Sequence, residues 1–539
     1  MEEYDVVVLG TGAAGLTAAL AAAHAGARVG LFEKGDRVGG TTALSSAVVW
    51  LPDNRFAREA GVADSRQEGL DYLDSLSHGM IRPEMAEAFV DTVGELLAWL
   101  EAETPSHFQL VPGFPDYHPE HPGGKPGGGR SIEPRLFSFH AIPGWSERIV
   151  GATRRMNVTD TPTGGGTGVV DPDEIARREE AGLEGLGRAL VGSLLAGCLE
   201  KGVTPVLSTG ATRLVTADDG TVTGVELSGP SGDVTVSTPA VVLATGGFEF
   251  DPDLVRAFLR GPMELPAGVA TNTGDGLRMA MRVGAQLGNM REAWWVPVVR
   301  LPGERPGGGD PVYLILRERT LPGSIIVNSR GRRFTNEAAN YNALGGALHA
   351  FDPTSFRYVN LPCWLVFDER FVQRHGCFGN APGSPVPDFV ERATSLADLA
   401  VAIGVPAHEL DETVQRFNKL VDSGHDDDFG RGDSAYDGWC GDRAHYPGRE
   451  ATLGPLTTGP YYAVELHSST LGTKGGPLTT VDGEVLDVDG SVIPGLFAAG
   501  NAMAGATGMV YGGAGGTLGP AMVFGYRAGR RAAAAAVPA

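Results

Sequence analysis

Within residues 4–9, YDVVVL, the valines and leucine at 6–9 place apolar side chains in an unbroken row, the pattern of a parallel strand buried on both faces rather than of a half-exposed one. A glycine-rich turn, GTGAAG, follows, and LTAALAAAHAGA then predicts an alanine-rich helix. RVGLFEK is a second short apolar run and ends in the acid Glu33. Two later segments have the same character: PAVVLATGGFEFDP at 239–252 and IPGLFAAGNAMAG at 493–505. Between them the pattern changes. WWVP at 294–297, the loop RLPGERPGGGDP and the strand SIIVNSRGRRF are followed by PCWLVFDER, and LADLAVAIGVPAHELDETVQRFNKLV has helical apolar spacing. The 157–180 stretch predicts a surface loop giving way to a helix, with no chemistry. RAGRRAAAAA predicts a last helix with its basic residues on a solvated face.

The first segments form a complete strand–GxGxxG–helix–strand–acid unit. Gly10 serves the tight turn, Gly12 lets backbone approach a pyrophosphate and Gly15 lets the helix pack on the strand, with Ala13 and Ala14 between. The helix N-terminus then faces phosphate, and Glu33, followed by Lys34, can accept from a ribose hydroxyl. NAD and FAD share this unit. The continuation KGDRVGGTTALSSAVVWLP, with Gly39, Gly40, Thr41, Thr42 and Ser46, resembles the extended flavoprotein fingerprint, which implies contacts to pyrophosphate and isoalloxazine. The ATGG turn with Thr245 and Gly246, and the late strand leading to Gly500 and Asn501, complete the order expected for FAD. The expected fold class is α/β: a Rossmann-like FAD-binding domain of the GR2 type, split by an inserted α+β substrate domain. The expected boundaries are 1–285, 286–444 and 445–539.

A chain of 539 residues, 42% hydrophobic, can bury a large core. Its formal charge of −22 repels phosphate backbones, so nucleic acid is not an expected partner. Cys198, Cys363, Cys377 and Cys440 are widely spaced without a CxxC, which argues against a disulfide framework or zinc site. The 12 histidines show no metal-ligand spacing; His118 and His121 on a proline-broken loop are expected to face solvent. The acidic N-terminus lacks a signal-peptide pattern, and no run approaches the roughly 18 apolar residues of a membrane span. The expected location is cytoplasmic, with peripheral membrane association open.

One stretch stands apart: GATGMVYGGAGGTLGPAM, 505–522, sets seven glycines around a single tyrosine, Tyr511. Together with GGTTALSSAVVWLP, FPDYHPE, LPGSIIVNSRGRRFTNEAANY, FGRGDSAYD and LGTKGG, it resembles the flavin-dependent 3-ketosteroid dehydrogenases, especially the Δ1 branch, within the succinate dehydrogenase and fumarate reductase flavoprotein group. The resemblance covers nearly the whole chain. It implies that Tyr511 and the Gly515 amide bind a C3 carbonyl, that Tyr341 in NEAANY takes a proton from C2, and that Tyr117 in FPDYHPE supports Tyr341. It also implies FAD contacts at Ala211, Asn272, Asp275, Gly516, Thr517 and Leu518. Asn340 and Gly512 stand where the family has proline, which is expected to loosen the backbone around the pair.

The residue types suit the chemistry. Desaturation beside a ketone removes a proton from the adjacent carbon and a hydride from the next. Donors on the carbonyl oxygen stabilise the developing enolate, by roughly 3–4 kcal/mol each in oxyanion holes. A tyrosine base, with a pKa near 10 when free, is expected to be helped toward its anion by a hydrogen bond from Tyr117. Trp294 and Trp295 fit either an apolar pocket or core packing. His467 in HSST lies far from the fingerprint where relatives attach flavin, so FAD is expected to be non-covalent. The expected partners are a steroid-like ketone and an unspecified electron acceptor. The alternatives are 4,5-desaturation, another cyclic ketone, a reductase of unsaturated carboxylates, for which no convincing His/Arg set is visible, and a flavin module without catalysis.

Overall fold

The computed structural model describes residues 3–305 and 308–536. The valine run forms strand Val6–Leu9, and Val6, Val7 and Val8 are fully buried. It pairs in parallel with Val29–Phe32 on one side and Val241–Leu243 on the other. Val241–Leu243 in turn pairs in parallel with Val492–Ala498, and Glu484–Leu486 closes that edge antiparallel. Early and late segments thus share one sheet, and the nucleotide-binding domain is split as expected. A three-stranded antiparallel sheet, Gly210–Thr216, Val222–Gly229 and Gly232–Ser237, accompanies it.

The helix Ala13–His24 lies against the C-terminal helix Leu518–Ala536 at very short range. A Cβ at Gly525 would sit 2.5 Å from the Ala14 carbonyl oxygen, and one at Gly529 would sit 2.2 Å from that of Ala18. Glycine is required there by contact rather than by dihedral angle. The basic residues of the last helix are not free on a solvated face. Arg527 pairs with Asp482 at 2.8 Å, Arg531 with Glu484 at 2.8 Å, and Arg530 with Glu95.

The middle of the chain builds a second, antiparallel sheet in the order Val312–Leu314, Ala293–Arg300, Tyr461–Thr473, Cys363–Asp368, Ser324–Asn328, with Glu391–Ala393 also on the central strand. Residues 461–473 therefore pair with the middle segment, although they lie beyond the boundary expected at 444. The long helical pattern resolves into two helices, Leu396–Ala402 and Ala407–Ser423. Gly404, at φ +72°, and Pro406 separate them, since such a backbone and a proline cannot continue one helix. Among the described residues, no helix is long and apolar enough to cross a membrane, and the four cysteines are free and buried.

Candidate active site

A cavity of about 410 Å³ runs from the glycine turn of the parallel sheet to the edge of the antiparallel one. Gly10 has φ +105°, and a Cβ there would lie 2.3 Å from the Ala244 carbonyl oxygen; one at Gly15 would lie 2.0 Å from that of Gly10. These two glycines pack the turn. Gly12 differs: the nearest atom to its would-be Cβ is Thr42 Oγ1 at 3.5 Å, and the residue lines open cavity. The following helix starts at Ala13 without a side-chain cap on Gly12, and Ala13 N–H donates to Thr42 Oγ1 at 3.0 Å. Ala14, Gly40, Thr41 and Ser46 complete this wall.

Glu33 accepts from Thr11 N–H at 3.0 Å, Thr11 Oγ1 at 2.6 Å and Gly35 N–H at 2.8 Å, and burial holds its carboxyl above the usual range. Lys34 reaches Asp275 Oδ2 at 2.7 Å beside it. Asn272 donates to Thr41 Oγ1 at 3.1 Å and to Glu249 Oε1 at 2.6 Å, tying the 249–275 loop to the glycine-threonine turn. Ala211, Gly246, Gly500, Thr517 and Leu518 line the cavity, and Asn501 accepts from Trp294 Nε1 at 3.0 Å. Thr245 Oγ1, also at the wall, is buried without a hydrogen-bond partner.

Four tyrosines from distant parts of the chain meet at this cavity. Tyr117 O–H donates to Tyr341 Oη at 2.9 Å. The Tyr511 ring lies 5.0 Å from that of Tyr117 and 5.4 Å from that of Tyr341, nearly perpendicular to the latter at 89°. Tyr436 packs on Tyr117 at 4.9 Å. Trp294 supports Tyr511 from behind at 4.8 Å, and buried Lys474 lies over the indole and donates to the Val510 carbonyl at 2.7 Å. Trp295 packs against His349 and Gly345 in the core.

Gly515 has φ +94°, and a Cβ there would sit 2.3 Å from the Val48 carbonyl oxygen, so only glycine fits. Its N–H has no acceptor among the described residues, and the residue lines the cavity. Burial pushes the Tyr117, Tyr341 and Tyr511 phenols above the ordinary tyrosine value, the first two well above it. This corrects the expectation from sequence. The hydrogen bond from Tyr117 exists, but it does not bring Tyr341 down: burial first, and then the neighbouring Tyr117 and Tyr511 phenols, keep Tyr341 protonated at neutral pH in the free protein.

The backbone around the pair is not loose either. Asn340 holds φ −58°, within proline's own range, and its side chain accepts from Ala343 N–H at 3.0 Å. It thereby caps the helix Tyr341–Leu348. Its Nδ2 contacts the Tyr117 carbonyl at 3.3 Å and His118 Nε2 at 3.1 Å. His118 therefore does not face solvent, as sequence suggested, and burial lowers it to about 4. Gly512 packs against the Trp50 ring, and its carbonyl accepts from Tyr117 N–H and Tyr72 O–H. Polar bonds replace the rigidity a proline would supply.

A family model, the FAD binding domain, matches residues 5–518. The chain belongs to this family. It is 42% identical to 4-oxocyclohexanecarboxylate 2-dehydrogenase of Sinomonas cyclohexanicum, over 98% of this chain and 92% of that protein. It is 38% identical to 3-oxosteroid 1-dehydrogenase of Mycobacterium tuberculosis, over 98% of each. The crystal structure of 3-ketosteroid delta1-dehydrogenase from Sterolibacterium denitrificans in complex with 1,4-androstadiene-3,17-dione superposes with a TM-score of 0.91 at 32% identity, covering 99% of this chain and all of that one. The suspected family is thus shown. The protein is an FAD-dependent oxidoreductase of CH–CH bonds, and the open Gly12 cradle, the uncapped helix start and the unpaired Thr245 hydroxyl fit the cofactor of this FAD-binding family.

Of the residues singled out from sequence, Gly15, Gly39 and Gly516 do not line the cavity. Gly15 serves packing, Gly39 N–H donates to Thr11 Oγ1 at 3.0 Å, and Gly516 lies against the Tyr511 ring. His467 lies outside the wall, beside Glu264 at 3.3 Å. Sequence missed Tyr436, although FGRGDSAYD carried it, and Val158, Thr161 and Thr163 in the stretch expected to be inert. It also missed Arg317, which follows Leu314 and Leu316 in an otherwise unremarked loop.

Proposed function

We propose that the protein desaturates a ring ketone between the carbons α and β to its carbonyl. The observation that carries this is the free Gly515 N–H beside the Tyr511 phenol in one cavity with the Tyr117–Tyr341 pair. Both kinds of relative point to one chemistry. A 3-oxo group with dehydrogenation at position 1, and a 4-oxo group with dehydrogenation at position 2, each place the new double bond next to the carbonyl carbon.

Tyr511 O–H and Gly515 N–H hold the carbonyl oxygen and stabilise it as negative charge develops. Tyr341, as phenolate, takes the α proton onto its Oη, and Tyr117 donates to that oxygen. The electron pair left on the α carbon closes the new double bond as the β carbon loses hydride. When bound, FAD supplies the hydride acceptor. The apolar side chains Phe114, Val158, Leu314, Leu316 and Leu471 line the same space and exclude water from a ring held there. A clamp for a small dicarboxylate needs several cations, and among the described residues no histidine lines the cavity. Desaturation of a 3-oxosteroid or of a smaller ring ketone is therefore the reading we adopt, with non-covalent FAD and a cytoplasmic setting.

Anaerobic addition of ring ketones to the holoenzyme should bleach the flavin, with the enone appearing in the ultraviolet. Tyr341→Phe should lose about 10²–10⁴-fold in kcat, the range for a general base, while retaining bound FAD. Wild-type turnover in that variant sinks the assignment of the base, and no bleaching by any ring ketone sinks the function.

A further inference from the structure

Resting on the desaturase reading, we infer that the substrate ketone carries a carboxylate, and that Arg317 binds it with Arg443 reinforcing the positive field. Arg317 lines the cavity that holds the four tyrosines, and its side chain forms no hydrogen bond or ion pair among the described residues. The Arg443 guanidinium lies on the Trp439 indole, 3.2 Å from the ring centroid, and its Nη2 reaches the Pro162 carbonyl at 3.4 Å. Its Nη1 is buried without a partner. The two cations are close enough to repel each other. Glu318 meets Arg317 through charge alone, with no hydrogen bond or ion pair between the side chains, and the acids nearby take other partners. Glu318 accepts from Tyr313 O–H at 2.7 Å, Asp442 from His445 Nδ1 at 2.7 Å, and Asp160 pairs with Arg178 at 2.9 Å.

In a chain of net charge −22, unpaired arginine at an apolar cavity wall needs a reason. A neutral hydrocarbon ring would strip water from the guanidinium and return nothing, which is costly. A carboxylate returns two parallel charge-assisted hydrogen bonds. The ketone clamp at Tyr511 and Gly515 and the cation at Arg317 then read two groups of one small molecule, an oxo-carboxylic acid. This is more specific than either group alone.

The test uses the holoenzyme with 4-oxocyclohexanecarboxylate, its methyl ester and a neutral 3-oxosteroid, following flavin bleaching and then kcat and KM with an artificial acceptor. The expected result is a kcat/KM for the acid roughly 10–100-fold above that for the ester, the range for a hydrogen-bonded charge. Arg317→Leu should remove that advantage through KM on the acid alone, leaving the ester unchanged, and Arg317→Lys should restore part of it. Equal handling of acid and ester by the wild type overturns the inference, and this comparison needs no variant to fold. So does an Arg317→Leu protein that loses both substrates alike. Bleaching by neutral ketones with indifference to charge leaves the desaturase reading standing and removes only this one; no bleaching by any of the three removes both.

Discussion

A phenol that must act as a base in a buried site faces two opposed demands. Water exclusion strengthens the carbonyl clamp, but it also disfavours the phenolate, and at Tyr341 burial is the larger influence. The consequence is a pH dependence of definite sign. As pH rises from about 6 toward the ordinary tyrosine pKa of about 10, the small phenolate fraction grows about tenfold per unit, and kcat/KM should grow with it. Above about 10 the unfolded chain releases tyrosine protons that the folded one retains, so stability falls there and the profile is to be read below that point. Tyr117→Phe removes the donor to Tyr341 Oη, so the phenolate loses its hydrogen bond as the proton moves and the rate at fixed pH should drop. A steady fall of kcat/KM from about pH 6 to about 10 in stable enzyme would show that no tyrosinate takes the proton. Tyr511→Phe should lower kcat by about 10²–10³-fold, as loss of one oxyanion donor does.

At the scale of elements, Asn340 shows how a short motif does more than its sequence discloses. It fixes the first turn of the helix that presents Tyr341, and it reaches the backbone of Tyr117. Asn340→Ala should cost about 0.5–2 kcal/mol, the range for a lost N-cap, seen as a lower Tm. It should also weaken kcat, because the Tyr341 ring loses its fixed origin; a variant with native kcat and Tm would mean the cap positions nothing. The nucleotide fingerprint was legible because its strand, turn, helix and acid are contiguous and each glycine answers a local contact, as Gly10 and Gly15 do. Asn340 was misread because a cap and a proline offer the same φ by different means. Val158, Thr161 and Thr163 were missed because a polar, glycine-rich stretch looks the same whether it faces solvent or folds inward over a cavity. Arg317 was invisible for a simpler reason: pairing, or its absence, exists only once the chain has folded.

On the whole-molecule scale, the cavity is built by both sheets. Gly12, Glu33 and Thr245 come from the parallel one, while Leu314 precedes Arg317 at the edge of the antiparallel one and Leu471 lies on its long central strand. A cofactor filling this space touches both, so the folded state is linked to its binding. FAD at a hundredfold excess over its Kd should add about 2.7 kcal/mol, read as a Tm that falls when the flavin is stripped and returns on reconstitution. Two glycines a single turn apart separate this linkage from folding itself. An alanine methyl at Gly12 enters open cavity, with only Thr42 Oγ1 near it at 3.5 Å. Gly12→Ala should therefore keep the Tm of the stripped protein yet lose at least part of the flavin-dependent increment. An alanine methyl at Gly15 meets the Gly10 carbonyl oxygen at 2.0 Å, so Gly15→Ala should lower the Tm of the stripped protein as well. If Gly12→Ala instead lowered the stripped Tm and bound FAD as tightly as wild type, the open side of the turn would not be where the cofactor lies.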